Sequence, residues 1–325
     1  MNKLKYSELF YSLQGEGRYV GVPSVFLRLF GCNFECRGFG QDRDESKWLP
    51  EAQMPHIQNH PYAKTLNDLP TPHVGCDSSF SWGKKWGHLA ENDDIETIIN
   101  KMNGLTNWYG RKSLATMSGG ISECLKQTDG VHLVITGGEP LLKGFQPALR
   151  ELITSPELKT RFVTFETNGT QVFDTPRDEL TERELAPPPV ANYPLYIAKY
   201  GVNKNSGITW SVSPKLSNSG EKWLDAIVPE ALLSYNKWPH SYLYLKFVVR
   251  DEDNMKEVEE AVRMYNHAGV EIDAIYLMPE TGDVPHPGVL KGSDTENIVA
   301  NLALKYGYKF SPRLHIQLFG NTWGT

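Results

Sequence analysis

Short runs of β-branched and aromatic residues recur along the chain, separated by polar or glycine-containing segments. Runs of this length and composition are typical of buried β-strands. They predict strands at 24–30, 131–136, 161–166, 208–212, 242–249, 274–278 and 313–319.

Apolar residues at helical spacing lie between several of these runs. One set is Ile95, Ile98, Ile99 and Met102, and a second is Val258, Ala261, Val262 and Tyr265. Each set follows the i, i+3, i+4, i+7 pattern of one helix face. For the second helix, Asn254 and Glu257 form a candidate capping box at the start, and Gly269 is a candidate for the left-handed residue at the end.

The alternation of strands and helices predicts an α/β fold with a parallel sheet, in a single domain over residues 1–325. In such folds the chemistry lies on the loops at the carboxyl ends of the strands. Two stretches interrupt the alternation and are interpreted as insertions, 37–75 and 174–206, the second containing three consecutive prolines.

Composition excludes several classes of function. Hydrophobic residues make up 40% and charged residues 22% of the chain, as in ordinary globular proteins. The formal net charge of −6 gives no overall attraction to nucleic acid or anionic lipid. The sequence has neither a signal-peptide pattern nor an apolar run of membrane-spanning length. We therefore expect a cytoplasmic protein with no membrane partner and no direct contact with nucleic acid.

The four cysteines are too few for a disulfide scaffold in a chain of this length, and their spacing suggests metal or redox chemistry. Cys32 and Cys36 directly follow a predicted strand, and Cys76 joins them if the 37–75 segment returns to the same place. The cysteines alone leave open a zinc site that uses His56, His60 or His73. Cys124 lies in no motif and is interpreted as a packing residue.

Further motifs follow in a fixed order: FYSLQGEG at 10–17, Cys76-Asp77-Ser78, TGGEPLL at 136–142 and SPK at 213–215. With the cysteines, they resemble the radical S-adenosylmethionine (radical SAM) superfamily, and within it the 7-carboxy-7-deazaguanine synthase family. Phe39 stands where a compact motif would have its third cysteine. The resemblance therefore implies an insertion inside the cysteine motif. It also implies a partial, modified β/α (TIM-like) barrel of the radical SAM type.

The resemblance assigns a role to each matching residue. A [4Fe–4S] cluster would be held by Cys32, Cys36 and Cys76, and Mg²⁺ by the hydroxyl of Ser78, where the family has threonine. Binding of S-adenosylmethionine is implied for Gly75, Cys76, Asp77, Gly137, Gly138, Glu139, Ser213, Pro214 and Lys215. Substrate binding is implied for Leu13, Gln14, Gly15, Glu16, Arg28, Thr136 and Thr325. No catalytic residue is assigned beyond the cluster and the cofactor.

The implied reaction converts 6-carboxy-5,6,7,8-tetrahydropterin to 7-carboxy-7-deazaguanine with loss of ammonia, in 7-deazapurine (queuosine-type) biosynthesis. The implied partners are the pterin, a flavodoxin- or ferredoxin-type reductant and a second copy of the chain in a homodimer. Two alternatives stay open at this point. One is an activating enzyme that installs a glycyl radical on a protein, and the other is a catalytically inactive regulatory protein that binds a cluster or zinc.

Overall fold

The computed structural model describes residues 2–50, 62–70, 72, 74–114, 132–155, 157–158, 162–175, 207–238, 241–280, 292–320 and 323–324. Within these ranges the strands are β1 Lys3–Leu13, β2 Pro23–Leu29, β3 Glu91–Asp94, β4 His132–Gly137, β5 Phe162–Thr167, β6 Gly207–Val212, β7 Tyr242–Val249, β8 Ala274–Pro279 and β9 Lys309–Phe310. The α-helices are α1 Ile95–Leu114, α2 Gln146–Thr154, α3 Trp223–Ala226, α4 Pro229–Asn236, α5 Glu252–His267, α6 Gly292–Tyr306 and α7 Leu314–Phe319.

The strands form one nine-stranded mixed sheet in the order β3-β1-β2-β4-β5-β6-β7-β8-β9. β1 is antiparallel to β2 and to β3, whereas every neighbouring pair from β2 to β9 is parallel. The α/β prediction is confirmed. Among the described residues no pairing joins β3 to β9, so the sheet is not closed into a barrel.

Six of the seven predicted strands are present, displaced by one residue at most from the predicted bounds: β2, β4, β5, β6, β7 and β8. The prediction at 313–319 was wrong, because Leu314–Phe319 is a helix. Leu314, Ile316 and Leu318 alternate as in a strand, but the backbone pairs locally, with the Gln317 N–H donating to the Arg313 carbonyl. β9 ends at Phe310, and the intervening Pro312 has no N–H to donate to a ladder.

Both predicted helices are present, as α1 and α5, and Gly269 has the left-handed φ of +86°. The predicted capping box was wrong. Asp251 is the N-cap of α5 and accepts from the N–H of Asp253, because the helix begins two residues before Asn254. Asn254 lies inside the helix and its side-chain oxygen accepts from the N–H of Arg250.

The central strands are two-sided, because successive side chains of a strand point to opposite faces. One set of positions packs in the main hydrophobic core, for example Leu27 on β2, Phe165 on β5 and Leu245 on β7. The alternate set lines a cavity and includes charged residues: Arg28 on β2, Glu166 on β5 and Lys246 on β7. The period-two pattern thus places the polar chemistry on one face of the sheet.

The segment 14–22, which joins β1 to β2, crosses this polar face. Gln14 reaches Glu166 on β5, Glu16 reaches Lys246 on β7, and the Tyr19 hydroxyl lies 3.0 Å from the Thr209 hydroxyl on β6. Since β1 and β7 are five strand spacings apart, or about 24 Å in a flat sheet, the crossing brings distant strands into one site.

The two ends of segment 37–75, which the sequence predicts to be an insertion, lie side by side. The N–H of Gly75 donates to the carbonyl of Phe39 at 2.7 Å. Part of the insertion also packs in a small cluster of its own, in which Ala63 and Leu69 contact Phe80 and Trp86. Of the second insertion only 174–175 lies within the described residues. In the described part of the chain, no helix has the length and apolar character that crossing a membrane requires.

Candidate active site

A cavity of about 430 Å³ lies on the polar face of the sheet. Sixteen of the residues singled out from the sequence line it: Leu13, Gln14, Gly15, Glu16, Arg28, Cys32, Cys36, Gly75, Cys76, Asp77, Ser78, Thr136, Gly137, Gly138, Ser213 and Lys215. Motifs from residue 13 to residue 215 therefore meet in one place. Glu139 and Pro214 are not among the lining residues, and Thr325 falls outside the described part.

One end of the cavity, here called the cysteine end, contains Cys32, Cys36 and Cys76. The three cysteines are free thiols and pack in one apolar cluster with Phe34, Phe39 and Ala226. Two of the sulfurs receive N–H donors, from the Phe34 amide to Cys32 Sγ at 3.4 Å and from the Trp82 indole to Cys76 Sγ at 3.5 Å. Donors of this kind suit a thiolate ligand.

Burial keeps these thiols protonated in the absence of a ligand. It raises the pKa of Cys76 to about 11 and that of Cys32 to about 12, and it holds the pKa of Cys36 well above its usual value. Lys215 opposes the rise at all three cysteines. Since thiolates are the metal-binding form, a bound iron centre would release these protons.

The donor set at the cysteine end fits an iron–sulfur cluster, which is held by thiolates in an apolar setting with N–H donors to sulfur. Within the described ranges, no three His, Cys, Asp or Glu side chains are grouped so as to hold a single metal ion. His56, His60 and His73 of the zinc alternative, and Cys124, lie outside those ranges.

The glycine pair of the TGGEPLL motif is required by chain packing. A Cβ on Gly137, whose φ is +138°, would lie 2.4 Å from the Leu29 carbonyl. A Cβ on Gly138 would lie 2.1 Å from the Gly31 carbonyl and 2.8 Å from the Cβ of Cys32. Only glycine allows this loop to pack against the loop that carries the cysteines.

Glu139 is fully buried beneath the cavity. Its carboxylate accepts from the Asn168 and Leu141 amides and from the Thr167 hydroxyl, at 2.7 to 2.9 Å. Burial raises the pKa of Glu139 to about 7, although these three donors oppose the rise. In this structure Glu139 therefore holds the 167–168 turn, and a contact from Glu139 to the cofactor stays a prediction.

The SPK motif follows β6 and borders the cysteine end. The N–H of Ser213 donates to the Thr167 carbonyl, and Lys215 Nζ lies 3.2 Å from the Ser213 hydroxyl. Lys215 also lies over the ring of Phe39, 5.9 Å from its centroid. The motif thus brings a cation close to the three thiols.

The other end of the cavity, here called the charged end, is built around Glu16. Its Oε2 is paired with Lys246, and its Oε1 accepts from Arg313 Nε at 3.1 Å. Arg313 also pairs with Asp77. Burial opposes ionisation of Glu16, but Lys246 and Arg313 outweigh it and hold the pKa of this carboxyl well below its usual range.

Arg28 connects the charged end to the cysteine motif. Its Nε donates to Glu8 Oε2 at 2.8 Å and its Nη1 donates to the Ser78 hydroxyl at 3.0 Å. Ser78 in turn lies 3.2 Å from Asp77 Oδ1. The oxygen expected to bind Mg²⁺ is thus hydrogen-bonded on both sides, and a metal ion there would replace the bond from Arg28.

Glu166 orients two residues that the sequence assigned to the substrate. Its two carboxylate oxygens accept from the Gln14 amide at 3.1 Å and from the Thr136 hydroxyl at 3.0 Å. The amide oxygen of Gln14 accepts from the Glu16 N–H, so both ends of this side chain are fixed.

The described part of the carboxyl-terminal tail closes one side of the cavity. The Trp323 indole donates to the Leu69 carbonyl of the insertion at 2.9 Å and packs edge-on against Phe80. The N–H of Gly324 donates to Glu8 Oε1 at 3.1 Å. The insertion and the tail therefore form a joint wall.

Comparison with known proteins finds relatives of one name that align with nearly the whole chain. The 7-carboxy-7-deazaguanine synthase of Halobacterium salinarum is 26% identical over 321 residues, which is 98% of this chain and 91% of that protein. The chain is thus similar to a 7-carboxy-7-deazaguanine synthase over almost its whole length. The enzyme of Pyrobaculum aerophilum is also 26% identical, over 99% of this chain and 97% of its own length.

A short region is more similar. The Bacteroides thetaiotaomicron synthase is 59% identical over 32 residues, which is 10% of this chain and 18% of that protein. The crystal structure of QueE from Escherichia coli aligns with a TM-score of 0.46 and 16% identity, covering 96% of this chain and 95% of that one. No protein-family model matches the chain.

Several cavity residues were not predicted from the sequence: Glu8, Glu166, Lys246, Arg313, His315 and Trp323. A usable signal existed for the strand residues among them. Lys246 is the only charged residue of YLYLKFVV, and Glu166 the only one of FVTFET. A lone charge within a buried strand is rarely accidental, since charged residues are seldom buried without a partner.

Proposed function

We propose that this protein is a radical SAM enzyme that converts 6-carboxy-5,6,7,8-tetrahydropterin to 7-carboxy-7-deazaguanine with loss of ammonia. The observation that carries the proposal is the cavity on the polar face of the sheet. It joins three free cysteines to a preformed set of amide, carboxylate and guanidinium groups. The full-length relatives carry the synthase name, which favours this reaction over activation of a glycyl-radical protein.

The charged end supplies the groups for pterin recognition. Gln14, Glu16 and Arg28 offer an amide, a carboxylate and a guanidinium, which suit the polar edge and the carboxylate of a pterin. The pair of cations on Glu16 keeps it ionised in a buried place, so it can accept from an N–H of the ring without reorganising. Glu166 keeps Gln14 and Thr136 in fixed orientations.

The cysteine end is the proposed binding site of the cofactors, with Cys32, Cys36 and Cys76 as ligands of a [4Fe–4S] cluster. When bound, the cluster and S-adenosylmethionine supply the electron and the radical precursor for the reaction. The chain's own contribution is to bury the ligands, to place Lys215 beside them and to shape the glycine loop at 137–138. Gly75, Asp77, Ser213, Pro214 and Lys215 are the proposed contacts of S-adenosylmethionine.

The remaining assignments are proposals of the same kind. Mg²⁺ would bind at Ser78 after Arg28 releases that hydroxyl, since a hard oxygen suits this ion. The sheet would be curved as a partial, modified β/α barrel, which is supported by the contacts that segment 14–22 makes across the polar face with β5, β6 and β7. We also propose one domain with insertions at 37–75 and 174–206, a flavodoxin- or ferredoxin-type reductant, a homodimer and a cytoplasmic location.

The test begins with anaerobic reconstitution and measurement of iron, sulfide and zinc. About four irons per chain are expected, together with a spin-resonance signal that S-adenosylmethionine perturbs. Reductant, S-adenosylmethionine, Mg²⁺ and the carboxypterin should then give the deazaguanine product. Stoichiometric zinc and no reconstitutable cluster would instead favour the regulatory protein. A cluster without product would rule out this substrate.

A further inference from the structure

The loop that carries Cys36 is fastened by a carboxylate that belongs to none of the recognised motifs. Oε1 of Glu221 accepts from the N–H of Glu35 at 2.8 Å and from the N–H of Cys36 at 2.7 Å. Glu221 lies in the 217–221 loop, which follows the SPK motif along the chain. Cys36 is the only non-glycine residue with positive φ in the described ranges, at +48°. Such a conformation is held by its surroundings.

The same two loops are joined at further points. The N–H of Gly38 donates to the Ser219 carbonyl at 2.9 Å, and a Cβ on Gly38 would lie 2.6 Å from the Asn218 carbonyl. The fit of the loops is therefore already close without Glu221. Because other contacts already join the two loops, the negative charge of Glu221 is expected to have a role beyond holding them together.

The three cysteines differ in their immediate electrostatic surroundings. Cys32 and Cys76 each receive an N–H donor on sulfur. At Cys36 the backbone N–H donates to Glu221, so the carboxylate lies one hydrogen bond from the backbone of a residue whose thiol is buried. The reduction potential of an iron–sulfur cluster depends on nearby charge and on hydrogen bonds to its sulfurs.

We propose that Glu221 is a positioning residue that lowers the reduction potential of the cluster through Cys36. Its carboxylate stabilises the oxidised cluster relative to the reduced one, because reduction adds negative charge beside an existing negative charge. A lower potential makes the reduced cluster a stronger electron donor. The inference rests on the proposed cluster but not on the identity of the substrate.

The experiment compares the wild type with Glu221→Gln, Glu221→Asp and Glu257→Gln. Glutamine keeps the length and an acceptor oxygen but removes the charge, whereas aspartate keeps the charge and shortens the side chain. Glu257 is the matched control, because its carboxylate accepts from the N–H and hydroxyl of Ser217 and fastens the same 217–221 loop from α5. Each protein is reconstituted anaerobically, and its midpoint potential is measured on the cluster-loaded fraction by redox titration, without S-adenosylmethionine or pterin.

The expected result is a shift to more positive potential in Glu221→Gln, with Glu221→Asp and Glu257→Gln at the wild-type value. An unchanged potential in Glu221→Gln would overturn the inference, and so would an equal shift in Glu257→Gln. Complete loss of the cluster from Glu221→Gln at an unchanged Tm would also overturn it, since the carboxylate would then only hold the loop. A wild type that binds no cluster would contradict the proposed function itself.

Discussion

The two ends of the cavity balance their charges in different ways. At the charged end, Glu16 is already paired with Lys246 and Arg313, so the groups are ionised and in place before any ligand binds. At the cysteine end, burial raises the pKa of each thiol, and the site gains its charge only when a metal centre replaces the protons. The charged end is preorganised, whereas the cysteine end is completed by what it binds.

The largest expected effect is at the cysteine end. Cys76→Ala should abolish the cluster and all turnover, because two thiolates do not hold the cluster. The apoprotein should lose only about 1 kcal/mol of unfolding free energy, since a protonated buried cysteine acts as a small hydrophobic residue. Iron content, product formation and denaturant unfolding of the apoprotein provide the measurements. Cys124→Ala is the control and should keep the full cluster content.

At the charged end, a substitution should lower the stability of the apoprotein and leave the cluster content unchanged. Lys246→Met leaves Glu16 with Arg313 alone and should destabilise the apoprotein by about 3 kcal/mol, because it removes one partner of a buried ion pair. Cluster content should stay at the wild-type level. The double variant with Glu16→Gln should recover part of the stability, and simple additivity of the two single variants in urea unfolding would contradict the coupling.

The pH dependence of apoprotein stability should separate the two ends. Glu16 and Asp77 have lowered pKa values, so their pairs stabilise the fold above the pKa of unfolded carboxylates and lose this contribution as the pH falls below about 4. The thiols have raised pKa values, so stability falls as the pH rises above about 9, where the unfolded chain releases their protons first.

Unfolding free energies measured from pH 3 to pH 10 under reducing conditions test this assignment. In the Lys246→Met and Glu16→Gln double variant, the loss of unfolding free energy at acid pH should become smaller while the loss at alkaline pH is unchanged. In Cys76→Ala, only the loss at alkaline pH should become smaller. An equal change at acid and at alkaline pH in either variant would show that the two ends of the cavity do not titrate independently.

The smallest expected effect concerns the wall formed by the insertion and the tail. Trp323→Phe removes the hydrogen bond to Leu69 while keeping an aromatic ring against Phe80. The KM for the pterin should rise about fivefold, in line with the loss of one hydrogen bond, with kcat nearly unchanged. Binding of S-adenosylmethionine should not change. An increase confined to S-adenosylmethionine would place Trp323 at the other end.

Most of the sheet could be predicted from the sequence, because each central strand is a continuous apolar run between polar segments. The cysteine end could also be predicted, because its residues lie in recognisable motifs. At the charged end the sequence predicted Glu16 but not Lys246 or Arg313, because these two residues are far from Glu16 in the chain and meet it only when segment 14–22 crosses the sheet. Arg313 was further concealed by the alternating pattern of 313–319, which predicts a strand where the structure has α7.

The hydrogen bond from Gly75 to Phe39 has a consequence for how much chain the cysteine motif can contain. It fixes the entry and exit of the insertion side by side, so Cys36 and Cys76 keep their separation whatever the length between them. The entropy of closing a loop grows only with the logarithm of its length, and doubling the loop costs about 0.6 kcal/mol. Residues can therefore be added or removed between positions 39 and 75 at little cost to the geometry of the ligands.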